Sequence, residues 1–250
     1  MPLFGLLDPT ALAASSVPEM PHWDTEAWAL PRAEILQLAW EVSPATRALL
    51  PRAMHPAVPS YVTFFVTRYP ESPIGEFLLA QLRLMGRAGA HPRGFLLGAI
   101  ANRREAVAEL RARWGFPVGM GGIALRRHHD RVMAIVTRDG ASILDAALVN
   151  PETISGGDVQ YIHTVTLARV AEHGTPVPHL IQIDPHYTFH KAERGRPEFS
   201  RFDAEAWNAP GVTLNFPVAA SIASCDTDLP QIRFVMDPET PVVQGTRRIR

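Results

Sequence analysis

Side-chain amines and thiols, the groups most often used for covalent catalysis, are almost absent from this sequence. Lys191 is the only lysine among the 24 lysine and arginine residues, and Cys225 is the only cysteine. An intrachain disulfide is therefore excluded, and a reducing, cytoplasmic location is expected. Only Lys191 could form a Schiff base through its side chain, but the polar residues that follow it favour a solvated lysine at the end of a strand.

Histidine is more abundant, with ten residues. His163 and His179 lie on neighbouring predicted strands and can face the same cavity, where either could act as a general base. His186 and His190 would share one face of a strand, because residues four apart on a strand point the same way. A site of histidines with Glu76 could hold a metal ion. Since the sequence has no CxxC pair and no HxxxH pair on a clear helix, no metal is assigned.

Other reaction and binding classes lack their motifs. Without a GxSxG segment, a serine hydrolase is not indicated. Residues 119–122 are glycine-rich but lack the GxGxxG spacing and the helix that a nucleotide site requires. The net charge of -1 gives no case for nucleic acid or an anionic membrane surface. No apolar run reaches the roughly 18 residues of a membrane-spanning helix.

The chain is long enough for one large domain, and no internal linker is evident. We expect an N-terminal arm over residues 1–31, anchored by Trp23 and Trp28, and a single domain over residues 32–250. No basic residue precedes the apolar stretch at the N-terminus, and Asp8-Pro9 interrupts it. No signal peptide is therefore predicted.

Many short segments rich in β-branched and aromatic residues predict a β-rich fold. Tyr61–Tyr69 is typical of a strand, and Asp139-Gly140 between two apolar runs predicts a hairpin turn. Residues 76–85 fit a strand or a helix equally well. Further along, we expect strands over residues 160–170 and 179–191, then a polar loop or short helix over residues 192–211.

The clearest helix is predicted over residues 102–114. Asn102 suits the N-cap position, and Gly115 suits the position that ends a helix. The apolar stripe of this helix would consist of Val107, Leu110 and Trp114. The helix is followed by a Trp-Gly-Phe-Pro turn.

Three separated stretches resemble the acetoacetate decarboxylase superfamily. Residues 32–51 open with an arginine and a strand and end in Leu-Leu-Pro after a short helix. Residues 61–117 contain a Gly-Glu pair, three strands, the helix and the Gly-Phe-Pro turn, and residues 217–235 contain Asp-Thr-Asp-Leu-Pro before an apolar strand. The resemblance implies an α+β, β-rich fold: a cone-shaped antiparallel β-barrel with a flanking sheet and a few helices. It also implies a homo-oligomer.

The resemblance also implies positions for an active site. In that family a lysine forms a Schiff base with a β-keto acid, an adjacent lysine lowers the pKa of the first, and an arginine and two glutamates complete the site. Arg32 matches the arginine, and Glu76 matches one glutamate. The second glutamate falls near Phe64 or Phe65, where no acid occurs, and the lysine pair falls at Val118-Gly119. Schiff-base decarboxylation therefore does not follow from the resemblance.

The resemblance therefore predicts a cavity without a nucleophilic amine. Arg32 would bind an anionic or enolising oxygen, and Glu76, helped by His163 or His179, would move a proton. A structural salt bridge between Arg32 and Glu76 is the alternative. The expected substrate-binding residues are Phe65, Phe116, Val118, Gly119 and Met120.

The preferred hypothesis is a cofactor-independent, lyase-like enzyme of secondary metabolism. It would act on a small keto acid, dicarbonyl or polyketide-like intermediate by enolisation, dehydration, cyclisation or C–C cleavage. The alternatives are a non-catalytic small-molecule-binding protein of the same fold and a metal-dependent lyase or hydrolase that uses histidine and glutamate ligands. All three require a small-molecule ligand, and none requires nucleic acid or a membrane.

Overall fold

Strands make up most of the protein, whose structure is a computed structural model that describes residues 3–8, 17–23, 26–172 and 175–249. Within these ranges the strands are β1 Glu19–Met20, β2 Trp28–Glu41, β3 His55–Pro56, β4 Tyr61–Tyr69, β5 Phe77–Ala88, β6 His91–Ala101, β7 Val118–Met120, β8 Gly122–Arg127, β9 Arg131–Arg138, β10 Ala141–Ile154, β11 Thr164–Glu172, β12 Thr175–Ile183, β13 Tyr187–Phe202, β14 Phe216–Leu229, β15 Phe234–Met236 and β16 Thr246–Arg248. The helices are α1 Arg104–Trp114 and α2 Val242–Gly245, with 3-10 helices at Pro44–Leu49, Gly156–Asp158 and Glu205–Trp207.

All these strands belong to one sheet. Its main path runs β16-β15-β12-β11-β6-β5-β4-β2-β14-β13-β10-β9-β8, and β1, β3 and β7 pair off this path with β11, β5 and β6. Pairing is antiparallel except between β1 and β11, β6 and β11, and β6 and β7. Over the described residues β16 and β8 are not paired with each other, so the sheet is open at its ends. The predicted β-rich α+β class is confirmed.

Apolar side chains cover both faces of this sheet. Phe64 and Phe65 are adjacent on β4 and belong to two separate clusters of buried side chains, as the alternation of a strand requires. Phe64 packs in a cluster with Trp40 and Trp207. Phe65 belongs to the cluster that includes Trp114 of α1, and we call its side the helix face of the sheet. β4 is apolar almost throughout because both faces are buried.

Local sequence signals predicted several of these elements correctly. Strand β4 has the predicted bounds, and residues 76–85, which fit either element, lie largely in strand β5. The hairpin between β9 and β10 turns at Asp139 and Gly140, whose φ angles are 50° and 80°. Positive φ at both central residues is the conformation in which Asp-Gly connects twisted strands.

Helix α1 ends as predicted but begins differently. Gly115 has a φ of 63° in the left-handed region, and its N–H donates to the carbonyls of Arg111 and Leu110. The predicted N-cap role of Asn102 is wrong, because Arg103 occupies that position and makes no side-chain cap. The Asn102 side chain instead accepts a hydrogen bond from the backbone N–H of Leu78 at 2.7 Å. The buried stripe consists of Ala106, Leu110 and Trp114, while Val107 is half-buried.

The single strand predicted over residues 179–191 is wrong. β12 ends at Ile183 and β13 begins at Tyr187, and Pro185 between them lacks the N–H that a continuous ladder would need. The loop predicted over residues 192–211 is also wrong in its first half, because β13 pairs with β14 as far as Gly195 and with β10 as far as Phe202. The break between β12 and β13 proves important for the site.

The N-terminal tryptophans contact the rest of the protein. Trp28 begins β2, is buried, and packs edge-on to Trp114 with ring centroids 5.2 Å apart. Trp23 is half-buried and packs edge-on to His179 at 5.1 Å. In the ranges described above, neither α-helix has the length and apolarity to cross a bilayer.

Candidate active site

A row of side chains crosses the helix face of the sheet and ends at the first position of the missing lysine pair. Strand pairing aligns Gln37 with Phe65, Phe65 with Gln81, Gln81 with Ala99, and Ala99 with Val118. Paired residues on adjacent strands project to the same face. Val118, which is 1% exposed, therefore lies on the same side of the sheet as Gln81 and Phe65.

Arg83 extends from the same face as Gln81, because the two residues are two apart on β5. Its Nε and NH2 atoms donate to Gln81 Oε1 at 2.8 Å and 2.5 Å, and its NH1 donates to the carbonyl of Ile162 at 3.1 Å. The guanidinium carbon lies 3.8 Å from the centre of the Phe65 ring. Arg83 is only 5% exposed, so the positive charge is buried.

No carboxylate compensates this charge. Among the ion pairs of the described residues, none includes Arg83. Burial lowers the pKa of Arg83 to about 10, although Tyr187 and Tyr69 act in the opposite direction. The guanidinium therefore stays charged at neutral pH, and among the described residues its desolvation is offset by hydrogen bonds to neutral groups and by the Phe65 ring.

Two tyrosines, Tyr69 and Tyr187, interact electrostatically with this arginine, and a third, Tyr161, packs against Tyr187. Burial raises the pKa of Tyr69 to about 12, although Arg83 opposes the rise. Burial also raises the pKa of Tyr187 and that of Tyr161, and Arg83 again opposes the effect at Tyr187. All three phenols are therefore neutral at physiological pH. Tyr161 packs edge-on to Phe65 at 5.5 Å and to Tyr187 at 5.2 Å.

A pocket of about 560 Å³ lies beside this cluster: Tyr161 and Tyr187 form part of its wall, whereas Gln81 and Arg83 are not among the residues that line it. Ile162, which accepts the hydrogen bond from Arg83, stands between Tyr161 and His163, and both of those residues line the pocket. The apolar part of the wall consists mainly of Tyr161, Tyr187, Phe189, Phe234, Pro185 and Pro230. The break between β12 and β13 contributes Asp184, Pro185 and His186 to the wall.

His163 and Asp184 form a dyad on the wall of the pocket. His163 Nδ1 lies 3.0 Å from Asp184 Oδ1, and Arg93 NH2 lies 3.1 Å from the same oxygen. Asp184 Oδ1 makes no regular hydrogen bond among the described residues, so we regard both contacts mainly as electrostatic attraction. Burial raises the pKa of Asp184, but His163 and Arg93 outweigh that effect and leave it lowered.

The protonation of the His163 ring follows from its neighbours. Nδ1 also lies 3.3 Å from Arg93 NH1, but one nitrogen cannot donate to Asp184 and accept from Arg93 at the same time. We assign the proton to Nδ1, because the carboxylate is the closer group and is negatively charged. Nε2 is then the unprotonated nitrogen of the neutral ring and can accept a proton.

Residues 15–237 of this chain match the family model described as acetoacetate decarboxylase. The chain belongs to the acetoacetate decarboxylase family. Comparison with curated protein sequences gives no match.

Solved structures of the acetoacetate decarboxylase family share the fold at low sequence identity. An acetoacetate decarboxylase from Legionella pneumophila subsp. pneumophila str. Philadelphia 1 is 20% identical, with a TM-score of 0.74 over 92% of this chain and 95% of that chain. The enduracididine biosynthesis enzyme MppR, complexed with the condensation product of pyruvate and imidazole 4-carboxaldehyde, is 14% identical, with a TM-score of 0.69 over 84% and 89%. An acetoacetate decarboxylase-like enzyme from Sphingomonas wittichii RW1 is 18% identical, with a TM-score of 0.63 over 82% and 91%. The resemblance inferred from the sequence is confirmed for the family and for the fold.

Arg32 and Glu76, which the family pattern places together in the cavity, do not form an ion pair with each other. Arg32 pairs with Glu71, and the Arg32 side chain is 69% exposed. Glu76 pairs with Arg68 at 2.8 Å, and the Glu76 side chain is 49% exposed. Arg32 has a φ of 55° and lies at a register shift between β2 and β14, where its backbone N–H bonds to Asp226. This irregularity interrupts the alternation of β2 at Arg32, and the catalytic roles of Arg32 and Glu76 remain predictions without support from the geometry.

The other predicted residues are divided between the core, the surface and two pockets. Of the two predicted catalytic histidines, His163 lines the 560 Å³ pocket. His179 lines a different pocket beside β15. Phe116 is buried in the core of the helix face, and Met120 is 42% exposed. A Cβ added at Gly119 would meet no atom within 4 Å, so there is open space beside this residue.

Lys191 and His190 lie at the surface. The Lys191 side chain is 63% exposed and pairs with Glu193 at 3.4 Å. His190 pairs with Asp226 at 3.1 Å, with the His190 side chain 47% exposed. Among the described residues, no group of three or more histidine, cysteine or acidic side chains is arranged to hold a metal ion.

Gln81 and Arg83 were missed in the sequence, although a signal was present. They are two polar residues, two apart, within the otherwise apolar run LLAQLRLM. On a strand such a pair must point to one face, which indicates a buried polar site. Tyr187 and Asp184 had no comparable signal, because their position depends on the unexpected break between β12 and β13.

The Asp184 dyad gives a prediction about pH. Because the pKa of Asp184 is lowered in the folded protein, its stabilising contribution is present above the unfolded pKa of about 3.9 and is lost as the pH falls through the folded value. We expect wild type to be more stable than Asp184→Asn at pH 7, and the difference to shrink towards about pH 3. Urea unfolding measured across this range checks the prediction.

A suitable control is Asp139→Asn in the hairpin, because the Asp139 side chain is 95% exposed. Its effect on the free energy of unfolding should change little with pH. A difference between wild type and Asp184→Asn that is equally large at pH 7 and pH 3 would contradict the assignment.

Proposed function

We propose that this protein is a cofactor-independent enzyme that acts on a small keto acid, dicarbonyl or polyketide-like intermediate without forming a Schiff base. In this proposal Arg83 binds the anionic carboxylate or enolate oxygen, and His163 with Asp184 moves a proton. The observation that carries the proposal is the buried charge of Arg83, which has no carboxylate partner among the described residues.

The energetics of a buried cation favour an anionic ligand. A guanidinium removed from water needs a counter-charge or a full set of hydrogen-bond acceptors to offset its desolvation. Arg83 has five N–H groups and uses three of them in bonds within the described structure. Two N–H groups therefore have no acceptor among the described residues, and a carboxylate or enolate that reached them through the pocket wall would supply both the charge and the acceptors.

The same arrangement supports enolisation. A fixed positive charge beside a carbonyl oxygen stabilises the negative charge that develops there when an α-proton leaves. The proton would pass from the α-carbon of the substrate to Nε2 of His163, and the resulting imidazolium would be stabilised by Asp184. The enolate could then be reprotonated, could expel a hydroxyl group from the β-carbon, or could attack an electrophilic carbon through its α-carbon. Dehydration and cyclisation begin in this way, whereas C–C cleavage would produce the enolate, stabilised by the same charge, as the bond breaks.

The size and lining of the pocket favour a substrate with a flat apolar part. A volume of about 560 Å³ lies within the range of drug-sized ligand sites, and aromatic rings and prolines form much of the wall. Acetoacetate or pyruvate alone would occupy a small part of this space. Related structures add support for a keto acid, since MppR was solved with pyruvate and with a condensation product of pyruvate.

Proton exchange measured by NMR in deuterated buffer tests the proposal. Pyruvate, acetoacetate and longer or aryl-substituted homologues would be followed for loss of the α-proton signal or conversion to product. We expect enzyme-dependent exchange or conversion that persists in Lys191→Arg and is not abolished by borohydride. Covalent trapping of substrate on Lys191, or turnover lost in Lys191→Arg, would contradict a mechanism without a Schiff base.

Val118 supports a second candidate, a protein that binds such a ligand without changing it. This apolar residue lies in the position that the family pattern gives to the nucleophilic lysine. The same NMR experiment separates the two functions. Saturable binding with no exchange and no conversion of any homologue would favour the binding protein and reject the enzyme.

A further inference from the structure

We infer that the Tyr187 hydroxyl donates a hydrogen bond to the carbonyl oxygen of the bound ligand and stabilises the enolate that forms there. The inference rests on the proposed function, in which His163 removes the α-proton. It makes Tyr187 a further catalytic residue, and the ligand class is a compound with an enolisable carbonyl group.

Tyr187 borders the pocket and has a hydroxyl that no described residue uses. The residue is half-buried and lines the 560 Å³ pocket, and its hydroxyl makes no hydrogen bond among the described residues. Tyr161 lines the same pocket, but its hydroxyl already donates to the carbonyl of Ile35 at 2.9 Å. Tyr69 does not line the pocket. A hydroxyl without a protein partner on a pocket wall is available to a ligand oxygen.

The ring of Tyr187 is held in place on two sides. Tyr161 packs edge-on to it with ring centroids 5.2 Å apart, and Phe189 stacks on it at 5.9 Å with an interplanar angle of 13°. The chain is anchored just before the ring, because the backbone N–H of His186 donates to Asp228 Oδ1 at 2.7 Å. A donor that is fixed before the ligand binds needs little reorganisation when charge develops on the ligand oxygen, and it therefore stabilises that charge effectively.

The hydroxyl of Tyr187 lies at the inner side of the pocket wall. Arg83, Tyr69 and Cys225 act electrostatically on this phenol, and all three are buried. The hydroxyl is nevertheless not among the described side-chain atoms that are both fully buried and without a hydrogen bond, so its oxygen is open to solvent. A ligand that fills the pocket can therefore reach it.

The charge of Arg83 supports this donor when the enolate forms. Burial raises the pKa of Tyr187, although Arg83 opposes the rise, so the phenol keeps its proton at neutral pH and can donate. When His163 Nε2 takes the α-proton, the electron pair of the C–H bond forms the C=C bond of the enolate, and negative charge collects on the oxygen that Tyr187 contacts. The guanidinium contributes even without touching the ligand, because its charge acts over the short distance of the phenol in surroundings of low dielectric constant.

Tyr187→Phe tests the inference, because it removes the hydroxyl and keeps the ring. Exchange of the α-proton is measured by NMR in deuterated buffer, with the keto acid that wild type exchanges fastest. We expect kcat to fall about 100-fold or more while KM changes little, since the hydrogen bond strengthens as the enolate forms.

Calorimetric titration gives a second measurement that does not depend on turnover. Oxalate carries an anionic oxygen where an enolate of pyruvate would have one, and oxamate carries a neutral amide there. Hydrogen bonds to anionic oxygens are the stronger ones, so we expect Tyr187→Phe to bind oxalate roughly tenfold more weakly than wild type and oxamate almost as well.

Tyr69→Phe is the matched control. It also removes a buried phenol hydroxyl on which Arg83 acts, but Tyr69 does not border the pocket. Its exchange rate and its affinity for oxalate should match those of wild type. The inference is overturned if Tyr187→Phe keeps the wild-type rate and affinity, or if Tyr69→Phe loses as much. It is also overturned if Tyr187→Phe does not fold, because the hydroxyl would then have a structural partner.

Failure of the inference can be distinguished from failure of the proposed function. If wild type exchanges α-protons and Tyr187→Phe exchanges them equally fast, the proposed function stands and the inference is wrong. If wild type neither exchanges nor converts any of the keto acids, the proposed function is rejected, and the titration decides the inference by itself. A selective loss of oxalate in Tyr187→Phe would then support Tyr187 as a donor to a bound ligand. Equal affinities, or a wild type that binds neither probe, would overturn it.

Discussion

Replacing Arg83 with methionine is expected to weaken the binding of pyruvate and its homologues by at least about 100-fold and to abolish their turnover. The substitution removes the buried positive charge next to the pocket wall residue Tyr187, and methionine fills a similar volume of the helix face. Arg83 is 5% exposed and has no ion-pair partner among the described residues, so no other contact of this side chain would replace the lost attraction.

The stability of Arg83→Met should change little, because two effects oppose each other. Replacing an uncompensated buried charge with an apolar side chain is often neutral or stabilising. On the other hand, Gln81 Oε1 and the Ile162 carbonyl lose their donor, which costs roughly 1–3 kcal/mol for each unsatisfied group. Calorimetric titration and thermal unfolding on the same samples measure binding and stability separately.

A matched control lies on the same strand. Arg87 is exposed, and its NH2 donates only to the Ala90 carbonyl at 3.4 Å, so Arg87→Met should leave binding unchanged. Arg83→Lys keeps a charge but cannot reproduce the planar contacts, and intermediate affinity is expected. If Arg83→Met folds and binds pyruvate as tightly as wild type, the anion-binding role is wrong.

The contrast between Arg32 and Arg83 shows which part of the site the sequence could predict. The resemblance identified Arg32 from its place before a strand, but the direction of a side chain on a strand depends on local register. A shift between β2 and β14 interrupts the alternation at Arg32, next to Pro31, a residue type that strands accept mainly at edges and bulges. Arg83 lies within a regular stretch of β4–β5 pairing, where alternation alone would have placed it beside Gln81.

Elements that depend on local backbone preferences were predictable from the sequence. The Asp139-Gly140 turn and the Gly115 helix end depend on the backbone conformations that these residues adopt most easily. The positions of Asp184, Pro185 and His186 depend in part on Pro185, which cannot continue the ladder, and in part on where two long strands separate. That position is set by the pairing of β12 with β11 and of β13 with β14, which is information from distant parts of the chain.

Replacing Trp114 with alanine is expected to destabilise the fold by about 3–5 kcal/mol. Trp114 is fully buried at the end of α1, and its ring packs edge-on to Trp28. Its backbone carbonyl accepts a hydrogen bond from the Thr166 hydroxyl at 2.8 Å. The large cavity left by alanine would lie where α1, β2 and β11 meet. Urea unfolding followed by circular dichroism measures the loss.

Trp114→Phe tests a more specific role for the same residue. The indole Nε1 donates to the carbonyl of Pro230 at 2.8 Å, and Pro230 lines the pocket. Phenylalanine keeps most of the packing but leaves that carbonyl without its donor, at a cost of roughly 1–3 kcal/mol. The wall formed by the segment between β14 and β15 should then be less firmly held, so ligand affinity should fall together with stability.

Trp207→Phe is the matched control for this second effect. Trp207 is also almost fully buried, and its Nε1 donates to the Ile143 carbonyl at 3.3 Å, but it lies on the other face of the sheet and does not line the pocket. We expect both phenylalanine variants to lose stability and only Trp114→Phe to lose ligand affinity. Equal affinities in the two variants would show that α1 supports the fold without controlling the pocket wall. A selective loss in Trp114→Phe would connect the Trp-Gly-Phe-Pro turn to ligand binding through Pro230, even though the lysine pair that follows this turn in the family pattern is absent here.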